Sequence, residues 1–314
     1  MRKTTILGHL RHRLSALQLS QVIMLLVLFS GLLAPAIARA DISVTTTIRP
    51  LQLIAEAVLQ DSGEVSTIVK ANQSAHQFSI SPSDRFALAR ADIVLWIGPM
   101  LESQLSSMLQ QSSMTVLTAI EMQGLTLHEL DEESHFGSSL DAHLWLDSDN
   151  VLIIARELAR AAGELDPDNA SVYANNLQTF GASITEATAT ISTWFSDQPM
   201  PGFAVYHNAY QYLEKQFGLQ HSMELVHDPE TQPSIQQIME TRNSFEELQP
   251  QCLFIDPDAN ADLVATLLGD YSIATSTVDP LGYVSTADQQ GNDYAEFLLG
   301  IARAFSNCLP VAAR

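Results

Sequence analysis

The stretch from Asp166 to Ser196 constrains the fold more than any other. Tyr173, Leu177, Phe180, Ile184, Ala187, Ile191 and Phe195 recur every three or four residues, the spacing of one apolar stripe along an α-helix. The whole stretch of 31 residues makes about eight turns at 3.6 residues per turn. Asp166-Pro167 suits a helix start, because proline is tolerated in the first turn. Pro199-Met200-Pro201-Gly202 supplies the stop. A helix of that length is expected to act as a spine between two lobes. It separates an N-terminal lobe, residues 41–165, from a C-terminal lobe, residues 197–314, with residues 166–196 as the linker.

Both lobes read as βα alternation. In the first, Ile42 to Thr47 is a β-branched run ending at Arg49-Pro50, and Leu51 to Leu59 has helical spacing. Val65 to Val69 is a second strand. A polar loop, Ala71 to Ala75, leads to His76, and Ser81-Pro82-Ser83-Asp84 marks a helix start. Ile93 to Ile97 and Met114 to Leu117 are further strands, with helical spacing from Leu101 to Leu109 between them. Asp149 to Gly163 is a helix capped by Asp147, Ser148 or Asp149. In the second lobe, Phe203 to His207 is a strand, followed by a helix from Tyr210 to Phe217. Cys252 to Asp256 and Ser272 to Val278 are strands around a helix near Ala261 to Leu268, and Tyr294 to Ser306 closes the chain as a helix. The fold class is therefore α/β: two lobes, each with a mainly parallel sheet, whose binding sites lie beyond the strands' carboxyl ends.

The first forty residues read as an export signal rather than as part of the fold. Arg2, Lys3, Arg11 and Arg13 form a basic start, Val22 to Leu33 an apolar segment too short for a comfortable membrane span, and Ala38-Arg39-Ala40 a cleavage site. No cysteine lies nearby, so a lipid-anchored cysteine is excluded. Five of the 15 basic residues and none of the 36 acidic ones fall in this segment, leaving residues 41–314 with a formal charge near −26. That field repels nucleic acid and anionic membranes and draws cations inward. The only cysteines, Cys252 and Cys308, form an isolated pair that an oxidising compartment favours as a disulfide, stabilising by about 4 kcal/mol in the chain-entropy picture.

Three histidines carry the functional reading. His143 sits in Asp141-Ala142-His143-Leu144-Trp145-Leu146-Asp147, a short strand-like run whose apolar neighbours bury the ring. A buried imidazole needs a partner, either an ordinary core carboxylate or carbonyl, or a metal ion. His76 and His207 each lie where an apolar run passes into a helical pattern, so the three could converge on one ion. Between Leu125 and Leu140 the pattern lapses into an acidic segment with His128 and His135. It reads either as a solvated loop or as a weak auxiliary metal-capturing site.

These residues together resemble the periplasmic metal-binding proteins of ABC importers, in particular the ZnuA-type zinc group. The carriers are His76 with Pro82-Ser83-Asp84 and Ala91-Asp92, the His143-Leu144-Trp145-Leu146 stretch, and Tyr206-His207-Asn208-Ala209-Tyr210 running into Glu214-Lys215-Gln216-Phe217-Gly218-Leu219. Pro229-Glu230, Gln232-Pro233-Ser234, Asp279-Pro280-Leu281-Gly282 and the cysteine pair also fit. The resemblance implies a cleft site with His76, His143 and His207 as ligands and Asp279 as a source of oxygen. It also implies Zn2+ as transported cargo, a monomer, and an inner-membrane ABC permease with its cytoplasmic ATPase as partner, with no nucleic acid. Three imidazoles with one oxygen suit tetrahedral zinc, whereas manganese prefers more oxygen. Zinc-type relatives often place a glutamate before the first histidine; here residue 75 is alanine, which shifts weight to Asp279 or a water. They also often carry a histidine-rich loop, of which only His128 and His135 remain.

Two other classes compete. A zinc hydrolase could use three histidines and a bound water, but the sequence has no His-Glu-x-x-His helix and no Ser or Cys nucleophile setting. An adhesin or manganese-binding relative of the same fold is the other. The expectation is a zinc-capturing binding protein, not an enzyme.

Overall fold

The computed structural model describes residues 41–71, 73–111, 114–130, 140–196, 201–283 and 293–307. The expected export signal (1–40), His135 with most of its acidic loop (131–139), Pro199 and Met200, and Cys308 lie outside the described residues. In the first lobe, β1 (Ile42–Thr46), α1 (Arg49–Leu59), β2 (Gly63–Thr67), α2 (Pro82–Arg90), β3 (Ile93–Trp96), α3 (Ser106–Gln110) and β4 (Thr115–Thr118) follow one another. All pairings are parallel, in the spatial order β2-β1-β3-β4. In the second, β5 (Phe203–Val205), α6 (Gln211–Phe217), β6 (Met223–Glu224), α7 (Ile235–Leu248), β7 (Cys252–Ile255), α8 (Ala261–Leu268) and β8 (Ala274–Thr277) repeat the scheme as β6-β5-β7-β8. Central strands β3 and β7 are almost wholly buried, as strands covered on both faces must be. The two lobes thus share one topology, although their sequences show no repeat.

Between the sheets run α4 (Ser148–Leu165) and α5 (Ala170–Ser196), and α9 (Tyr294–Ser306) completes the described chain. The spine begins as a 3-10 turn, Pro167–Asn169, because Pro167 cannot donate within the helix while Asp166 accepts from Asn169 and from Tyr173. Helix α5 buries Tyr173, Phe180, Ile184, Ala187 and Ile191; Leu177 and Phe195 of the expected stripe are half-buried against the same core. That core is continuous. It runs from Ile42 and Val44 of the first sheet through Tyr173, Phe180 and Ile184 to Phe203 and Phe254 of the second sheet and Tyr294 and Phe305 of α9. Helix α9 itself packs on both α5 and α1.

One local expectation changes, and two elements are new. The His143 stretch is not a strand: Asp141 accepts the His143 N–H at 2.9 Å, and Leu144–Leu146 form a 3-10 turn closed by Leu146 N–H on the His143 carbonyl. Helix α7 and the two-residue strand β6 have no counterpart in the sequence reading. Serine opens α7 as it opens α2: Ser234 and Ser81 each form a reciprocal capping box, with Gln237 and Asp84 respectively.

Candidate metal centre

The site assembles from three separate segments, two of which follow strands β2 and β5. The stretch after β2 is shaped by short polar contacts: Lys70 N–H to the Gln73 side chain at 2.9 Å, His76 N–H to Ser74 Oγ at 3.1 Å, and the Ser81 cap of α2. This loop presents His76. His143 leads the 3-10 turn into α4, whose N-terminus Asp147 caps by accepting from Asp149 and Asn150. Its ring Nδ1 lies 2.7 Å from Asp141 Oδ1, and it packs beside Trp145 with centroids 5.1 Å apart. His207 follows β5, and its Nδ1 lies 2.5 Å from Asp256 Oδ2 at the end of β7.

The three rings meet. Their centroids are 5.5 Å (His76–His143), 6.0 Å (His76–His207) and 5.4 Å (His143–His207) apart, and one nitrogen from each lies within 4.8 Å of the others. Ligands around a tetrahedral zinc with Zn–N bonds of 2.0–2.1 Å sit about 3.4 Å apart, so the rings need only a small inward movement to close on an ion. His143 and His207 are buried and His76 is partly so. The Nε2 atom of His207 is buried without a hydrogen-bond partner among the described residues. They line a cavity of about 330 Å³ together with Ser74, Trp145, Asp256, Asp258, Asp279 and Tyr283.

Electrostatics distinguish the rings. Burial, then the neighbouring His143 and His207, hold His76 well below the ordinary histidine pKa of 6.5, which keeps it neutral and able to ligate. Burial alone would do the same to His207. The Asp256 carboxylate more than offsets it by charge and hydrogen bond, with Asp258 and Glu224 adding, so its pKa is raised.

Asp279 lies in the wall of the same cavity, but its carboxylate is not among the groups whose donor atoms meet with the three histidines. Its Oδ1 accepts from Leu281 N–H at 2.8 Å and its Oδ2 from Tyr283 N–H at 2.7 Å. The turn it holds ties the second lobe to the first. Trp145 Nε1 donates to the Pro280 carbonyl at 2.8 Å, Arg49 Nε to the Gly282 carbonyl at 2.9 Å, and the Tyr283 hydroxyl to the Val69 carbonyl. His128 stays outside the cluster: its ring packs on Tyr212 at 4.7 Å and its N–H meets the Tyr212 hydroxyl. His221 and His227 face Glu214 and Glu224 respectively, away from the three-histidine cluster.

The family model described as "Zinc-uptake complex component A periplasmic", ZnuA, matches residues 44–308. The chain belongs to the ZnuA family. A member from Brucella abortus (strain 2308), the high-affinity zinc uptake system protein ZnuA, is 26% identical over 322 aligned residues covering 90% of this chain and 96% of the relative. A crystal structure of ZnuA superposes with a TM-score of 0.73 at 22% identity, covering 85% of this chain and 98% of that one. FpvC from Pseudomonas aeruginosa, solved in complex with Mn2+, gives 0.74 at 19% identity, covering 86% and 98%. These likenesses place the two parallel four-stranded sheets and the connecting long helix among ZnuA-type two-lobe α/β structures. Sequence reasoning did not single out the ring partners Asp141 and Asp256. Asp256 does stand at the carboxyl end of a recognisable strand, where a site residue belongs.

Proposed function

We propose that this protein captures Zn2+ in the periplasm and delivers it to the permease of an ABC importer. The supporting observation is the convergence of His76, His143 and His207, from three separate segments, on one cavity. Family membership and the ZnuA relatives support the uptake role. Three imidazoles form a nitrogen-rich donor set that suits zinc. We assign the fourth position to Asp279. Asp279 lines the same cavity, and a carboxylate supplies the oxygen donor that a zinc site with three histidines accommodates. The zinc ion is cargo here, not a resident cofactor, and no reaction is assigned to the site. The reading further takes residues 1–40 as a cleaved export signal, Cys252 and Cys308 as a disulfide, and the protein as a monomer.

The test is metal analysis of residues 41–314 purified without a tag, followed by competition among zinc, manganese and copper. One zinc per chain, a raised unfolding temperature with zinc, and sharply weakened binding in folded His76→Ala, His143→Ala and His207→Ala are expected. Normal zinc affinity in any two of these variants would overturn the ligand assignment. Preference for manganese over zinc would favour the second reading, a manganese-binding relative of the same fold, for which the FpvC likeness is the supporting observation.

A further inference from the structure

Two of the three histidines are held by carboxylates, and the third is not. Asp141 Oδ1 accepts the backbone N–H of His143 and faces its ring Nδ1 at 2.7 Å. Asp256 Oδ2 faces His207 Nδ1, and the Tyr210 hydroxyl, between Asp256 Oδ1 (3.2 Å) and the Val278 carbonyl (3.1 Å), holds that carboxylate in place. The Asp141 carbonyl is in turn bonded by the Tyr212 hydroxyl at 3.0 Å. No carboxylate meets the His76 ring among the described residues; its loop is fixed through the backbone instead.

Both carboxylates are buried, and Asp141 Oδ2 has no hydrogen-bond partner among the described residues. A dry carboxylate with an idle oxygen is costly to fold. Bracing one backbone N–H does not explain that cost, since an asparagine or serine would serve. In the other pair, His207 Nε2, across the ring from the nitrogen that faces Asp256, has no hydrogen-bond partner among the described residues. A ring that donates from Nδ1 has its lone pair on Nε2, and a neighbouring carboxylate both fixes that tautomer and raises the basicity of the ligating nitrogen.

We propose that Asp141 and Asp256 are positioning residues that hold His143 and His207 as Nδ1–H tautomers, aiming both Nε2 lone pairs at the cargo before it arrives. The inference deepens the zinc-capture reading and rests on it only for its binding readout; the tautomer is a property of the empty protein.

The experiment has two arms. Long-range 1H–15N NMR of metal-free protein, at an alkaline pH where the rings are neutral, reads the tautomer of each histidine. Nδ1–H is expected at His143 and His207, while His76 serves as the unbraced control. Nε2–H at His143 or His207 in the wild-type protein overturns the proposal. The second arm compares Asp141→Ala, Asp256→Ala and Asp256→Asn. In Asp256→Asn, the amide oxygen kept towards Tyr210 turns the NH2 group against Nδ1 and reverses the tautomer. Each folded variant is expected to lose about 10–100-fold in zinc affinity, with faster dissociation and with the altered tautomer visible in the empty protein. An unchanged tautomer together with a zinc affinity and dissociation rate within about twofold of wild type overturns it. If a variant fails to fold, the wild-type spectra still decide. If wild-type protein takes up no zinc, the transport reading fails while the NMR arm judges the positioning independently.

Discussion

Among single residues, Glu102 has the most unusual environment. It is fully buried, accepting from the Thr47 hydroxyl and from the Ile97 and Gly98 N–H groups. Burial outweighs those hydrogen bonds and raises its pKa from 4.5 to about 7. The folded state therefore keeps a proton that the unfolded chain gives up. The stabilisation is complete below pH 4.5 and is lost as pH rises through about 7, by roughly 3 kcal/mol for such a shift. Urea unfolding of Glu102→Gln across that window should show the loss flattened relative to wild type. Asp279 tests differently. Asp279→Ala should lower zinc affinity substantially and manganese affinity more; unchanged zinc affinity would mean that water completes a three-histidine site. The three histidines are legible in the sequence because His143 lies among apolar neighbours that bury its ring, while His76 and His207 lie where an apolar run passes into a helical pattern. Their partners are not. Asp141 reads as an ordinary turn residue, and Asp256 lies 49 residues from the ring it holds, a pairing that only the neighbouring strands β5 and β7 create.

At the scale of elements, legibility followed burial. Helices α8 and α9 and the stripe of α5 could be read because their apolar faces are the faces they bury. Helix α7 escaped because Ile235, Met239 and Leu248 are exposed and Phe245 is its one buried residue. The Leu144–Leu146 turn was mistaken for strand because a short, wholly buried apolar run carries no period to tell them apart. The Asp279–Tyr283 turn is sensitive to substitution. Gly282 has φ +70°, and a Cβ there would lie 2.6 Å from the Phe297 ring. Left-handed strain and overpacking together put Gly282→Ala at about 2–4 kcal/mol of lost stability, measurable by thermal unfolding. Because the same turn is bonded to Arg49, Trp145 and Val69, the loss should be accompanied by faster amide exchange around Trp145.

For the whole molecule, the continuous core and the unbroken α5 decide how the lobes behave. Hinged closure needs a few residues able to absorb large backbone changes, and α5 holds 27 residues in one helix with aromatic and aliphatic groups buried along it. The bonded turn from Asp279 to Tyr283 adds a second link across the cleft. We expect X-ray scattering profiles of empty and zinc-loaded protein to nearly superimpose, with changes confined to the loops bearing His76, His207 and Asp279; a large compaction would show that the helix bends. The rigid link between the lobes has a consequence for traffic at the membrane. A receptor that recognises the outline of a carrier cannot distinguish a full one from an empty one when both have the same outline. In the proposed uptake role, empty carriers would then occupy the importer as readily as loaded ones, and overproducing this protein under zinc scarcity is expected to slow uptake instead of speeding it.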